Sequence, residues 1–379
     1  MTGEGNMELT NEQRKYFGLE LVDPSWDRVE IPKASGYNTI HPEMLKTDLK
    51  NVLYFDGEIL RKEIAQHENG GFRENSYNLR TQDNRTKIAP ITAKGKPKIL
   101  NSVNIQRCKP YGVYLDINLD VLRRADVVIG NYDTQKTYYS SSFAGSKLKV
   151  DEFFDKWFSE TTEQNFKDLE VFKTEKRRHC KFKEGDFFRF KYDRRHYGYG
   201  RVLMDVEKWV KDGNQFWDVL MGKAVCISIY HIVTEDPDVG IDELSKLKFC
   251  PSEYIMDNHF FYGEYEVIGN APLPDDIDYP VMYGRSISGT NPNKIISCIG
   301  KTYREIPLEG NENPGRTYLN NGIGFGPHID MPLIEECIKT GSNDPFWKKN
   351  ADDGWSKDIR APQFIDDLIK MKKQMGLNY

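Results

Sequence analysis

Cysteine is scarce and dispersed. Cys108, Cys180, Cys226, Cys250, Cys298 and Cys337 are the six in 379 residues, and no CxxC pair occurs. That spacing offers neither a zinc site nor a disulfide framework, so no metal and no other cofactor is expected. The seven histidines are scattered, with no HExxH or HxH spacing. A GxSxG elbow and a GxxxxGK[ST] loop are also missing, and Gly322-Ile323-Gly324-Phe325-Gly326 has the wrong spacing for a dinucleotide loop. No run approaches the roughly 18–20 apolar residues of a membrane span. The opening MTGEGNMELTNEQRK has no apolar core of a secretory leader. A soluble, cytoplasmic chain without a membrane partner is the expectation. Charge of one sign is lacking as well: 53 Lys and Arg stand against 58 Asp and Glu, a net charge of -5. No basic field draws this chain to nucleic acid.

Aromatic residues are plentiful, with 20 Phe, 21 Tyr and 6 Trp, which is a globular composition with a sizeable core. Thr10, with Gln13 three residues on, caps a short opening helix that Gly18 ends. Arg28–Ile31 reads as a strand. The Asp56-Gly57 pair between apolar runs predicts a hairpin. Residues 112–119 and 126–132 read as two further strands. Phe153, Phe154, Trp157 and Phe158 fall on one helical face. Lys94 and Lys96 beside Gly95 form a basic loop, read as a solvated turn. Residues 159–178, ending in KTEKRR, have the polar composition of a domain seam.

The chain turns on Lys183 to Leu203. Gly185-Asp186 opens the run Phe187-Phe188-Arg189-Phe190-Lys191-Tyr192, a charged connection follows, and Tyr197-Gly198-Tyr199-Gly200-Arg201-Val202-Leu203 makes a second run. Two such runs predict a hairpin, and alternate glycines in a strand suggest bends or close approach of another group. GDFFRF, GYGRVL and the later GKAVCISIY together resemble the bacterial immunity protein 26 family. The resemblance is clearest over residues 179–233 and extends through Phe261 to Gly269 towards Ser288. It implies an antidote encoded beside a polymorphic toxin, which it neutralises by binding, and a family motif of Gly185, Asp186, Tyr197, Gly198, Tyr199, Gly200 and Arg201.

The expected class is α+β. A β-rich N-terminal domain (1–165), closed by the aromatic helix, is followed by a linker (166–178). A small, bent, antiparallel SH3-like β-barrel comes next (179–319), with strands at Phe216–Met221, Ala224–Tyr230 and Glu264–Ile268 and a closing strand at Ile295–Gly300. C-terminal helices (320–379) pack on it, one capped by Asp330 and stopped at Gly341. The last of them carries the stripe Phe364, Ile365, Leu368, Met371 and Met375, and Trp347 and Trp355 lie in a polar loop.

Asp186 is expected to accept turn amides and Arg201 to stack on Tyr197 or Tyr199; the competing reading makes this pair a catalytic or ligand-binding set. His196 has the chemistry of a general base, yet its place at a hairpin tip beside two arginines favours exposure over catalysis. An inhibitor needs only a rigid platform with aromatic and charged anchors. Arg194, Arg195, His196, Tyr197 and Tyr199 make one such patch. The acidic loop Glu235, Asp236, Asp238, Asp242 and Glu243 makes another. The expected partner is a cognate bacterial toxin domain, and the mild acidic excess suits a basic nuclease, although it is also ordinary for a cytoplasmic protein. Two alternatives stay open: a nucleic-acid-binding module stacking bases on a small barrel, and an enzyme of unrecognised class.

Overall fold

The computed structural model describes residues 8–35, 48–67, 71–89, 96–119, 124–144, 147–211, 223–285, 294–307, 329–351 and 358–377. Two compact units divide the chain, residues 1–178 and 179–379. In the first, helix α1 (Asn11–Lys15) precedes strands β1 (Asp27–Ser35), β2 (Asp48–Asp56), β3 (Ile59–His67) and β4 (Phe72–Arg80). An excursion follows, with the short strands β5 (Lys87–Ile88) and β6 (Lys98–Ile99) and helix α2 (Ser102–Ile105). Strands β7 (Tyr111–Leu119), β8 (Arg124–Asn131) and β9 (Lys136–Ala144) and helices α3 (Lys147–Glu160) and α4 (Glu163–Thr174) complete it. The long strands form one antiparallel sheet in the order β1-β2-β3-β4-β7-β8-β9.

The two faces of that sheet bury different things. Val52, Ile64, Leu115, Ile117, Val127 and Ile129 meet Phe17 from the turn after α1 and Phe154, Trp157 and Phe172 from α3 and α4. The Trp157 indole donates to the Tyr16 carbonyl at 2.9 Å, fixing α3 to the end of α1. Helix α4 lies where the charge pattern suggests a solvated linker. The sequence conceals it because only Leu169 and Phe172 among its apolar side chains are buried, while Val171 is exposed. On the same face, the fully buried Glu74 accepts from Arg14 and Lys62, each at 2.8 Å.

The opposite face carries a buried polar group. The Glu63 carboxylate accepts from Asn51 at 2.6 Å and Tyr77 at 3.1 Å, with the Arg73 guanidinium 3.7 Å away. Burial raises its pKa, and the charge of Arg73 and these donors offset that only in part. Asp116 is raised by burial as well, against the same Arg73. A carboxyl raised in the folded state holds a proton that the unfolded chain releases. The stability it contributes is complete below the ordinary glutamate pKa and is lost as pH rises through the folded value. The urea midpoint of the wild type should therefore fall as pH rises above the ordinary glutamate pKa, with about 1.4 kcal/mol lost per pH unit by which the folded pKa is raised. Glu63→Gln should show a shallower fall. Equal slopes for the two proteins would refute the assignment.

The second unit opens with β10 (Asp186–Lys191) and β11 (Tyr197–Asp205), then α5 (Val206–Lys211), β12 (Ala224–Thr234), α6 (Ile241–Leu244), β13 (Glu253–Met256), α7 (Asn258–Phe261) and β14 (Glu266–Asn270). These strands make a five-stranded antiparallel sheet in the order β13-β12-β11-β10-β14. Strands β15 (Val281–Arg285), β16 (Lys294–Ile299) and β17 (Thr302–Pro307) form a separate sheet. Among the described residues the five-stranded sheet is open, with β13 and β14 at its edges, and no barrel closes. Ile295–Ile299 pairs with β15 and β17 instead of closing anything. The glycines that suggest barrel corners make room for aromatic rings instead.

The C-terminal helices α8 (Met331–Thr340), α9 (Asp344–Ala351) and α10 (Ile365–Met375) pack within this unit. Asp330 caps α8 by accepting from the Leu333 amide, and Gly341 ends it. Leu333, Ile334 and Cys337 join Phe188, Phe190, Val225 and Ile227 in one core. Trp347 sits in α9, not in a loop. Of the stripe on the last helix, Leu368, Met371 and Met375 are buried, whereas Ile365, the first residue of the helix after the 3-10 turn at Pro362–Phe364, is exposed. The readings of a strand at Phe216–Met221, of Gly322–Gly326, of Gly95 and of Trp355 lie outside the described residues. Among the described residues, no helix is long and apolar enough to cross a membrane.

Candidate functional site

The β10–β11 hairpin explains its own sequence. Its register sets Phe187 opposite Arg201, Phe188 opposite Gly200, Arg189 opposite Tyr199, Phe190 opposite Gly198 and Lys191 opposite Tyr197. Side chains alternate across a strand, so each face of the pair has one kind of partnership. On one face an aromatic ring lies over a glycine. A Cβ at Gly200 would come within 2.3 Å of Phe188 Cζ, and one at Gly198 within 2.4 Å of Phe190 Cζ. On the other face cations lie beside rings. The Arg201 guanidinium is 4.4 Å from the Phe187 ring centre, and Lys191 Nζ is 4.3 Å from that of Tyr197. Arg201 thus stacks on Phe187 rather than on Tyr197 or Tyr199, because the register places Phe187 directly across from it.

Arg201 is buried, and its Nη2 donates to the carbonyls of Ala271 at 2.9 Å and Pro272 at 2.7 Å. Asp186 is buried too. It accepts from the Lys183 amide at 2.8 Å, as a turn aspartate should, and from Asn270 Nδ2 at 2.7 Å. Among the described residues no ion pair joins Asp186 to Arg201. Gly185 stands at φ +84°, where an L side chain is strained, and a Cβ there would also strike the Ala271 carbonyl. Asp186 and Arg201 therefore both fasten the end of β14 and the segment after it to the hairpin.

At the tip, Asp193 Oδ1 accepts from the amides of Arg195 at 2.7 Å and His196 at 2.9 Å, and its Oδ2 lies 2.7 Å from His196 Nδ1. Partial burial opposes the Asp193 charge, yet these amides and the imidazole hold its pKa below the usual carboxylate range. The other ring nitrogen of His196 lies 3.8 Å from Glu235. The tip and the acidic loop, two separate patches in the sequence, are therefore one surface.

Two residues fasten the acidic loop there. Tyr199, fully buried, donates its hydroxyl to the Asp236 carbonyl at 2.7 Å. Arg189 donates to the Pro237 carbonyl at 2.7 Å and pairs with Asp238 at 2.9 Å and with Glu266 at 3.0 Å. Tyr199 is thus a core residue beneath the surface and not an exposed anchor; its alternation with Gly198 and Gly200 places it on the face closed by Tyr230 and Leu244. Arg195, Glu235, Asp236, Asp238, Asp242 and Glu243 are exposed, and Arg194, His196 and Tyr197 are half-buried. Sequence reasoning missed Arg189 and Glu266. The signal was present in β10, where an arginine alternates with three phenylalanines and must face away from Phe188 and Phe190.

No curated protein and no solved structure matches this chain. A family match does fall on the hairpin, the acidic loop and the segment that Asp186 and Arg201 secure: residues 183–294, from just before β10 to the start of β16, match the family model of Immunity protein 26.

Proposed function

We propose that this chain is an immunity protein that binds and blocks a cognate toxin, acting in the cytoplasm and without turnover of its own. The family match over residues 183–294 carries the reading, because it spans the whole five-stranded sheet and both parts of the tip surface. Arg194, Arg195, His196 and Tyr197 would contact the toxin from the hairpin side, and Glu235, Asp236, Asp238, Asp242 and Glu243 from the loop side. Gly185, Asp186, Gly198, Tyr199, Gly200 and Arg201 serve as the frame beneath. Arg189 and Tyr199 hold the loop in place before binding, which limits the ordering cost of association. The acidic side suits a basic partner such as a nuclease, whose capture opposite charge accelerates. Base stacking gains no support, since Tyr199 is buried and Lys191 lies over Tyr197.

Co-expression with the toxin encoded beside this gene should restore growth, and the tagged protein should retain the toxin in a stoichiometric complex. In that complex, Arg195→Glu and the pair Glu235→Lys with Asp242→Lys should each weaken binding at least about tenfold, or about 1.4 kcal/mol, with the melting temperature unchanged. Growth arrest despite co-expression, with no toxin retained, would sink the proposal. Rescue with unchanged affinity in both variants would keep immunity and discard this surface.

A further inference from the structure

The two edges of the seven-stranded sheet are built differently. Strand β1 carries Asp27, Arg28, Glu30, Pro32 and Lys33, and its pairing with β2 is broken by a bulge between Ile31 and Ala34. Charges, proline and bulges are the devices by which proteins stop a sheet edge from pairing with another chain. Strand β9, at the other edge, reads KTYYSSSFA and has no charge and no proline after Lys136. Its single irregularity, opposite Ile129 and Gly130, lies at the start, and from Tyr139 to Ala144 the ladder to β8 is regular. Among the described residues no other strand pairs with this edge and no backbone hydrogen bond leaves residues 139–144 outside the strand pair. Ser140 is exposed.

The sequence of that edge also suits its own reverse. Two-fold antiparallel pairing requires one residue to stand opposite itself. Centred on Ser141, the pairing sets Ser140 opposite Ser142 and Tyr139 opposite Phe143. Hydroxyl pairs and aromatic pairs are among the favourable cross-strand combinations, and no like charges meet. A sheet edge that lacks the charges and proline of β1, that no described strand covers, and whose residues match when the strand is turned end for end, fits a second copy of the same strand.

We infer that this chain forms a two-fold dimer through antiparallel pairing of β9 with β9 of a second copy, which joins the two sheets into one. This dimer lies in the first unit and is independent of toxin binding by the second.

Light scattering on the full chain should give a mass near twice the 44.0 kDa of one chain. The double variant Ser140→Lys with Ser142→Lys sets like charges opposite each other twice and should halve that mass. The double variant Ser140→Glu with Ser142→Glu should do the same, and mixing the two should restore a dimer containing one of each. Independently, Ser141→Cys should cross-link to itself under mild oxidation, with the 141–141 disulfide identified by mass spectrometry and absent from the wild type. A monomeric wild type, or charged variants that remain dimers, would overturn the inference. A dimer whose Ser141→Cys variant fails to cross-link would overturn the register.

Discussion

Arg360→Ala is expected to cost the second unit about 3–5 kcal/mol, the range found when one partner of a buried ion pair is removed. The guanidinium is almost wholly buried and has no idle side. Its Nε and Nη2 take Asp358 as a fork, at 3.1 and 2.8 Å. Nη1 reaches Asp278 at 2.9 Å and the Ser252 hydroxyl at 3.0 Å, and Nη2 also donates to the Ser252 carbonyl at 3.1 Å. Burial works against its charge, but the two carboxylates keep the group protonated. Truncation would leave Asp358, only 2% exposed, as a buried anion without its cation. Arg360 ties the C-terminal segment to Ser252 and Asp278, which belong to the matched segment, so the loss should also loosen Leu368, Met371 and Met375 of α10 from Val281 and Ile359. Arg360→Lys should recover only part of the loss, because an ammonium cannot fork. Adding Asp358→Leu to Arg360→Met should recover more, since Asp358 is then no longer a buried charge left alone. Urea unfolding of the full chain reads all three against the wild type; a loss below about 1 kcal/mol in Arg360→Ala would show that water reaches this cluster freely.

That cluster is invisible in the sequence, and the reason is physical. Ser252, Asp278 and Arg360 are far apart in the chain, and nothing local marks Arg360 as different from any surface arginine. The same holds for Arg14, Lys62 and Glu74 in the first unit, which three separate elements bring together. What can be read is local. Thr10 and Gln13 do form a capping box, and the Asp56-Gly57 pair does join two strands. The aromatic face of α3 meets the core as its period predicts. The second unit is legible as strands but not as a sheet order, because periodicity says which face a residue takes and not which strand lies beside it. At the candidate surface the same division holds. The tip and the acidic loop are each recognisable, whereas their junction through His196 and Glu235 depends on a fold-back of nearly forty residues. Tyr199 misleads for a simpler reason: its alternation with glycine suggests a bend, when it reports two rings lying over two glycines.

Gly200→Ala tests that last point, and its expected effect is the second large one. A methyl group there would sit 2.3 Å from Phe188 Cζ and 2.8 Å from the Ser228 carbonyl oxygen. The ring cannot retreat. Phe188 is fully buried, stacked on Tyr265 at 4.7 Å and met edge-on by Phe260 at 5.2 Å. The backbone contact cannot yield either, because Ser228 lies in β12, whose register to β11 runs directly past Gly200. Overpacking of about 3 kcal/mol is expected, at the upper end of what one added methyl costs. Phe188→Leu in the same chain should recover part of this by removing the ring, but not all, since the Ser228 contact remains. Gly198→Ala should cost less, because Phe190 lies nearer the tip and no backbone atom is among the close contacts. The order of melting temperatures should therefore be wild type, Gly198→Ala, then Gly200→Ala. A Gly200→Ala protein melting within about 2 °C of wild type would mean that the hairpin has slack its contacts do not show. The comparison also separates frame from surface. Under the proposed function, Gly200→Ala should lose partner binding only in proportion to the protein it unfolds, whereas Arg195→Glu should lose it with the fold intact.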